Sequence, residues 1–421
     1  MTSDDSDFVD EIVADRRPVH TAPPSDDFKP WHRVRKEFIR QQQWNELTIR
    51  LAKRRWFQEL RQDDIEWALD DDAKEVESSV TPASEMQKRP LRCLVIPGDD
   101  LLDIRALWRD TQEHNCQICY LGFNERHGSD QEGTRIHVAN NAVTSLSRVN
   151  KNSQVIGDRF EHIIHQNSQA RRYLRSYGPY HVVNLDFCGS IFPNTQSDAQ
   201  PYLKAVHEML IYQFAEQKSP WLLFVTTEVQ PSIADPGKLE SFCRLARNNY
   251  NEHAEFRDEV GKFLPESAFE NAEVSVNLGG LTEDQMVKLF GVALGKWLLQ
   301  LSHSAQPQWT VSMRRSYQYS INEDKGAVML ALAFEFLPNI TPPVDRSGIS
   351  SLNIKPKEFP DEKECARKIA RSVAAIQDVD IRLDAEPELK QKLTDDHASL
   401  LESAGFDRDA YVAWVAAGET L

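Results

Sequence analysis

The regular alternation of strand-like and helix-like segments after residue 90 constrains the fold more than any other feature of this sequence. Five short apolar segments, rich in Val, Ile, Leu and aromatic residues, are typical of buried strands. They are LRCLVIPG (91–98), QICYLGFNE (117–125), the start of SQVIGDRFEHI (153–163), HVVNLDF (181–187) and PWLLFVTTEV (220–229). Because helix-like segments separate them, the pattern predicts a doubly wound, parallel sheet.

Two further strand-like segments close this region. Residues 308–321 and 327–338 are separated only by NEDKG, a connection typical of a hairpin. The sequence therefore predicts an α/β fold with a mostly parallel seven-stranded sheet, a C-terminal antiparallel hairpin, and helical additions at both ends.

Composition along the chain predicts its division into regions. With 421 residues the chain can form one large domain with additions, or two to three domains. We predict a flexible N-terminus, a basic helical segment, an acidic linker, an α/β domain with a helical insertion, and a helical C-terminal region. Their bounds are 1–28, 29–61, 62–89, 90–338 (insertion 237–305) and 339–421.

Charge and apolar patterning exclude several classes of protein. The formal charge of -16 argues against non-specific adhesion to nucleic acid over the whole surface. No apolar run approaches the roughly 18 residues of a membrane span, and the acidic start MTSDDSDF is unlike a signal peptide. The six cysteines form no disulfide framework, and Cys116 and Cys119 lack the second pair that a zinc site needs. We expect a cytoplasmic protein without a metal site or a membrane segment.

Polar or glycine residues follow four of the strand-like segments. They are Gly98 with Asp99, Glu125, Asp158, and Asp186 with Phe187. In open α/β sheets, ligands bind at the carboxyl ends of the strands, near the point where strand order reverses. These residues are therefore candidates for one binding site.

Each candidate also has a structural explanation. Asp99, with Asp100, fits the N-cap of the next helix, and Leu101 and Leu102 stand where small residues are expected in a ligand-binding loop. Glu125 could be an exposed loop acid. Asp158 and Asp186 could each cap the segment that follows.

The predicted order of elements and these strand ends resemble the class I methyltransferase superfamily, which uses S-adenosylmethionine. The resemblance covers about residues 90–338, and its motifs are degenerate. It implies that Gly98 and Asp99 contact the methionine part of the cofactor, that Glu125 binds the ribose hydroxyls, and that Asp158 binds the adenine amino group.

The segment NLDFCGSIFP (184–193) resembles the Asp-Pro-Tyr-Gly and Asp-Pro-Pro-Tyr segments of enzymes that methylate nucleic-acid amines. The resemblance implies that Asp186 accepts the protons of an exocyclic amine and that Phe187 stacks on its base. This chain departs from the pattern because it has no proline there and Cys188 follows the aromatic residue.

The segment 29–61 has a local basic character that the rest of the chain lacks. Ten Lys or Arg residues face only three acids in it, and aromatic residues are interleaved. At helical spacing Arg33, Lys36 and Arg40 fall on one face. They predict a contact with RNA or DNA phosphates. The alternative is a helix that packs on the acidic main domain and pairs its cations there.

The sequence thus leads to two hypotheses. The first is an S-adenosylmethionine-dependent methyltransferase that acts on an amine of a nucleic acid. The alternative is a non-catalytic, methyltransferase-like scaffold that contacts nucleic acid or a protein partner. The shortage of glycines after the first strand favours the alternative.

Overall fold

The computed structural model describes most of the chain between residues 25 and 419. The described ranges are 25–57, 89–114, 116–125, 133–187, 189–193, 201–230, 235–269, 280–320, 328–339 and 359–419. The predicted flexible N-terminus up to residue 24 and the predicted linker up to residue 88 lie outside them, as do Cys188 and the NEDKG connection.

The molecule is an α/β protein built on one mixed, mostly parallel sheet of eight strands. The strands are β1 (Arg89–Val95), β2 (Cys116–Phe123), β3 (Gln154–Ile156), β4 (Val182–Asp186), β5 (Trp221–Glu228), β6 (Trp309–Ser320), β7 (Val328–Pro338) and β8 (Gln377–Asp378). Their order across the sheet is β3-β2-β1-β4-β5-β7-β6-β8. Strands β1 to β5 run parallel, whereas β7 pairs antiparallel with both β5 and β6.

The α/β class and the mostly parallel sheet are confirmed, but the predicted count of seven strands is too low by one. The additional strand β8 has two residues and pairs with β6. Such a short edge strand leaves no alternating pattern in a sequence, because one residue on each face forms no period.

Helices cover both faces of this sheet. They are α1 (Val34–Ile39), α2 (Glu46–Phe57), α3 (Leu102–Asp110), α4 (Gly133–Thr144), α5 (Gln169–Tyr177), α6 (Pro201–Glu216), α7 (Pro236–Glu252), α8 (Ala254–Val260), α9 (Glu283–Ser304), α10 (Glu362–Ala374), α11 (Val379–Ala385), α12 (Pro387–Ser403) and α13 (Arg408–Ala416). Side-chain caps define several of their N-termini, for example Ser168 on α5 and Asp361 on α10. None of the helices in the described ranges is long and apolar enough to cross a membrane.

Successive residues of the central strands enter two different cores. On β4, Val183 belongs to a core that α6 and α9 share, while Val182 belongs to a core on the opposite face. This period of two is what a strand with both faces covered requires. Helices therefore cover the central strands on both faces.

The N-terminal helical segment forms part of the second core. A π-helical turn (Arg40–Asn45) joins α1 to α2 without a break. Phe38, Ile39 and Trp44 are each at most 4% exposed and pack in that core. The segment predicted as basic and helical is thus, over residues 34–57, a continuous helix with a π turn, and it lies against the sheet.

The C-terminal helices hold α1 in place. Glu37 on α1 is buried, and its Oε1 accepts hydrogen bonds from Arg109 (2.9 Å) and Gln41 (2.8 Å). Its Oε2 lies 3.3 Å from Nδ1 of His397 on α12, which is also fully buried. Burial lowers the pKa of His397 to about 4. Burial opposes the charge of Glu37, but its cationic and histidine neighbours outweigh that effect and lower its pKa to about 2.

Candidate functional site

A cavity of about 520 Å³ lies at the carboxyl ends of the parallel strands. It lies beside the ends of β1 and β4, adjacent strands from which the chain proceeds to opposite sides of the sheet. This is the switch point at which open α/β proteins bind ligands. Six residues that the sequence analysis selected line this cavity together: Gly98, Asp99, Glu125, Asp158, Asp186 and Phe187.

The loop after β1 reaches the cavity through an unusual backbone conformation. Leu101 has φ 51° and ψ 36°, the left-handed region that Leu rarely adopts and that costs about 1–2 kcal/mol. It is fully buried in the core, whereas Leu102 lines the cavity. Neither leucine fills the cavity, although their size argued against a ligand-binding loop.

Asp99 and Asp100 do not cap α3. That helix begins at Leu102, and no side chain bonds its N-terminus. Asp100 instead accepts a hydrogen bond from Arg135 Nε (2.7 Å), and its Oδ2 lies 3.7 Å from Nε2 of the buried His32. Burial opposes the charge of Asp100, but these neighbours hold its pKa below the ordinary value. The capping alternative is therefore wrong, and Asp100 anchors the loop.

Glu125 and its neighbour Asn124 face the cavity from the end of β2. The Asn124 amide donates to the carbonyl of Pro97 (3.0 Å) and to Asp99 Oδ1 (3.3 Å), which joins the first two loops. Glu125 accepts a hydrogen bond from Arg159, and both side chains are 55% exposed. The carboxylate thus lies at the open rim of the cavity.

Asp158 lies beyond the end of β3 and is bonded by local groups. Its Oδ1 accepts from the backbone N–H of Arg159 (2.8 Å) and contacts His162 Nδ1 (2.5 Å). Its Oδ2 accepts from the backbone N–H of Ala170 (3.2 Å), in the first turn of α5. Asp158 therefore supports the start of α5 and also lines the cavity.

Asp186 ends β4 and forms an ion pair with the N-terminal helix. Lys36 Nζ donates to Asp186 Oδ1 at 2.7 Å, and the two side chains are 6% and 16% exposed. Burial raises the pKa of Asp186, and the Lys36 ammonium limits that rise. The next residue, Phe187, packs its ring 5.1 Å from the ring of Tyr202, which also lines the cavity.

The three cations predicted to bind nucleic acid are buried instead. Arg33, Lys36 and Arg40 are 6%, 5% and 3% exposed. Arg40 Nε donates to Asp103 Oδ1 at 2.8 Å, and Arg33 lies beside Glu419. Because none of these three charged groups faces solvent, their positions agree with the alternative prediction, a helix that packs on the acidic main domain.

Sequence reasoning missed the contribution of this N-terminal segment to the cavity. Trp31 and Arg40 both line it, although they lie far before β1, which begins at Arg89. Asp103, on the first turn of α3, lines it as well. The change from acidic to basic composition at residue 29 indicates that this segment pairs with acidic residues elsewhere. It does not show which carboxylates the cations bind.

Negative charge predominates around the cavity. Of the described residues that line it, seven are carboxylic acids and two are arginines. The acids are Asp99, Asp100, Asp103, Glu125, Asp158, Glu161 and Asp186. The excess persists when Lys36 and Arg135, which bind two of them, are added. No group of three or more His, Cys, Asp or Glu side chains in the described ranges is arranged to hold a metal ion.

Fold and site together define an α/β protein with an acidic cavity at the switch point of its sheet. The chain belongs to the PP_RS20740-like family, whose model matches residues 25–416. The match includes the N-terminal helical segment, the whole sheet and the C-terminal helices. Neither the curated proteins nor the solved structures contain a significant match to the chain.

Proposed function

We propose that the chain binds S-adenosylmethionine in this cavity and transfers its methyl group to an amine. The observation that carries the proposal is the convergence of four strand-end loops, selected from sequence for this cofactor, on one cavity of suitable size. Small-molecule sites are commonly 300–1,000 Å³, and this cavity has about 520 Å³. The five parallel strands followed by an antiparallel pair support the same proposal, because they match the plan of class I methyltransferases.

The chemistry of the cavity wall fits this cofactor. S-adenosylmethionine carries a sulfonium and an ammonium, both cations, and an excess of carboxylates favours such a ligand. Arg40 and Arg159 give its single carboxylate a partner. A Cβ built on Gly98 or on Gly189 would meet no atom of the described residues within 4 Å, their chain neighbours apart, so a ligand has room beside both stretches of backbone.

The residues divide into two groups in this proposal. Gly98 and Asp99 hold the methionine part, Glu125 holds the ribose hydroxyls and Asp158 holds the adenine amino group. Asp186 accepts a proton of the acceptor amine, and Phe187 packs against the acceptor. When bound, the cofactor supplies an electrophilic methyl group, so the chain contributes mainly orientation and the exclusion of water.

The acceptor in this proposal is an amine that is not tied to a polynucleotide. The burial of Arg33, Lys36 and Arg40 removes the basic surface on which the nucleic-acid part of the hypothesis rested. An amine remains the acceptor class because Asp186 lines the cavity and its Oδ2 makes no hydrogen bond with any residue in the described ranges. A carboxylate oxygen there accepts N–H donors.

Isothermal titration calorimetry tests cofactor binding directly. We expect S-adenosylmethionine and S-adenosylhomocysteine to bind, and ATP and NAD⁺ not to bind, because their phosphates meet the carboxylate excess. A ligand at 100 times its Kd should also stabilise the fold by about 2.7 kcal/mol. If millimolar S-adenosylmethionine gives neither heat nor a rise in Tm, the proposal is wrong.

Transfer is tested separately from binding. The protein is incubated with methyl-labelled S-adenosylmethionine and cellular fractions of RNA, protein and small amines. Asp186→Ala should abolish labelling of the acceptor fraction and retain the affinity for S-adenosylhomocysteine. Loss of that affinity would contradict the role given to Asp186.

One observation favours the non-catalytic scaffold as a second candidate. Two carboxylates that the proposal gives to the ligand already have cationic partners, Glu125 with Arg159 and Asp186 with Lys36. A scaffold that has lost its ligand would use these pairs to neutralise its former site. It would bind none of the four compounds in the calorimetric test.

A further inference from the structure

We propose that Lys36 is a positioning residue for Asp186, which fixes one carboxylate oxygen and keeps the other charged and directed at the position of the reactive amine. This inference rests on the proposed function, because it takes the cavity to be the cofactor site. It adds a residue from outside the α/β domain to the machinery of the site.

The geometry of the pair supports this role. Lys36 Nζ approaches Asp186 Oδ1 at 2.7 Å, while Oδ2 has no hydrogen-bond partner in the described ranges. Asp186 lines the cavity and Lys36 is not among the residues that line it. The ammonium therefore binds the carboxylate from behind, and the unbonded oxygen is the part available to a ligand.

The surroundings of Lys36 fix its ammonium in this position. Its Nζ lies 4.9 Å from the ring centroid of Trp44 and 3.5 Å from the hydroxyl of Tyr319. Asp103, the other nearby carboxylate, is bound by Arg40 one turn further along the helix. Arg40 also lies 3.7 Å from Glu37 Oε2, so Lys36 is the cation that pairs directly with Asp186.

Electrostatics explain why the pair is needed. Asp186 is surrounded by Lys36, Arg40, Asp103 and Tyr319. Burial and the neighbouring Asp103 favour its neutral form, and Lys36 is the strongest opposing influence. Without the ammonium the pKa of Asp186 would rise further. A neutral Asp186 would attract a protonated amine less strongly.

Sinefungin is a probe that reports on this oxygen without knowledge of the acceptor. It carries a protonated amine where S-adenosylmethionine has its reactive methyl group, and S-adenosylhomocysteine has neither group. The ratio of the two Kd values therefore measures the contact of an amine with Asp186. A charged hydrogen bond should favour sinefungin about tenfold or more.

The experiment measures this ratio by calorimetry between pH 5.5 and 8 in the full chain. The wild type should prefer sinefungin throughout, and Asp186→Asn should lose the preference at every pH. Lys36→Met should keep the preference only at high pH, because its Asp186 is protonated as the pH falls. Lys36→Arg, which retains the charge, should restore the preference at low pH.

Loss of packing alone is separated by a matched control. Arg54 lies on the same N-terminal segment and binds the buried Glu335 at 2.7 Å, and it does not line the cavity. Arg54→Met should lower Tm and leave the ratio unchanged at all pH values. If Lys36→Met does not fold, Lys36→Gln removes the charge while it retains a hydrogen-bond donor.

The outcomes distinguish this inference from the proposed function. If neither sinefungin nor S-adenosylhomocysteine binds the wild type, the proposed function fails. If both bind and the ratio in the uncharged Lys36 variant follows the wild type across the pH range, the positioning role is wrong while the cofactor site stands.

Discussion

The absence of a side chain at Gly98 leaves space in the cavity. A Cβ added there would meet no atom of the described residues within 4 Å, its chain neighbours apart, so packing does not require a glycine at this position. Gly122 on β2 is different, because an added Cβ would lie 2.9 Å from Val155 Cγ2. One glycine therefore leaves space for a ligand, and the other permits two strands to pack.

Gly98→Val tests this distinction. The added side chain should occupy the cavity and reduce affinity for S-adenosylmethionine at least tenfold, while Tm stays within a few degrees of the wild type. Gly122→Val should give the reverse pattern, a lowered Tm, because overpacking costs about 1–3 kcal/mol. Calorimetry and thermal unfolding of both variants give the comparison. Unchanged affinity in Gly98→Val would place the ligand elsewhere.

At the scale of elements, the contact between α1 and α12 makes stability depend on pH. His397 is neutral in the folded state down to a pKa of about 4, whereas in the unfolded chain it takes up a proton near pH 6.5. Below pH 6.5 the unfolded state therefore binds more protons, and acid favours unfolding. The effect grows as the pH falls from 6.5 and stops growing near pH 4.

His397→Gln should reduce this dependence. For the wild type, the histidine contributes a loss of about 2 kcal/mol in unfolding free energy between pH 7 and pH 5. Urea unfolding gives the free energy of unfolding at pH 7 and at pH 5. The difference between these two values should be smaller in the variant by that amount. His165→Gln is the control, because that side chain is exposed in the folded protein as well. An equal pH dependence in wild type and His397→Gln would contradict the buried neutral imidazole.

At the scale of the whole molecule, the N-terminal segment belongs to the same folding unit as the sheet. Six of its apolar side chains are at most 7% exposed, and burial of each contributes about 1.5–3 kcal/mol. These residues are Val34, Phe38, Ile39, Trp44, Leu47 and Leu51. Lys36 of this segment also neutralises Asp186 at the end of β4, and a buried carboxylate left without its partner costs about 3–5 kcal/mol.

Residues 25–57 and 89–421 should therefore be soluble only together. Expressed alone, residues 89–421 expose the second core and are expected in inclusion bodies. Co-expression of the two fragments should yield a soluble complex that elutes as one species in gel filtration. A soluble, cooperatively unfolding 89–421 fragment would show that the segment is dispensable for folding.

Local patterns predicted the sheet and the site to different extents. Strand periodicity is a local property, so seven of the eight strands appear in the sequence within a few residues of their bounds. The rule for strand ends then selected six residues that line the cavity together. The partner of Asp186 was beyond such reasoning, because Lys36 is 150 positions away and no spacing relates them.

The backbone conformation of the loop after β1 could not be predicted from local sequence patterns either. Leu101 adopts a left-handed backbone because Arg105, Arg135 and the core hold its surroundings, and a propensity scale would place a glycine there. Likewise, the sequence left open whether the cations of the N-terminal segment contact nucleic acid or pair with acids of the main domain. The orientation of these cationic side chains is determined by carboxylates that come close to them only in the folded chain.

The π-helical turn at Arg40–Asn45 means that chain length, as well as residue identity, determines the shape of the site. An α-helix advances about 100° per residue. A chain one residue shorter at Gln42 would turn α1 by about that angle relative to α2. Lys36 would then leave Asp186 while the composition of the cavity wall remained almost the same. A relative that lacks this one residue would look almost identical in sequence, but its Asp186 equivalent would have no lysine partner.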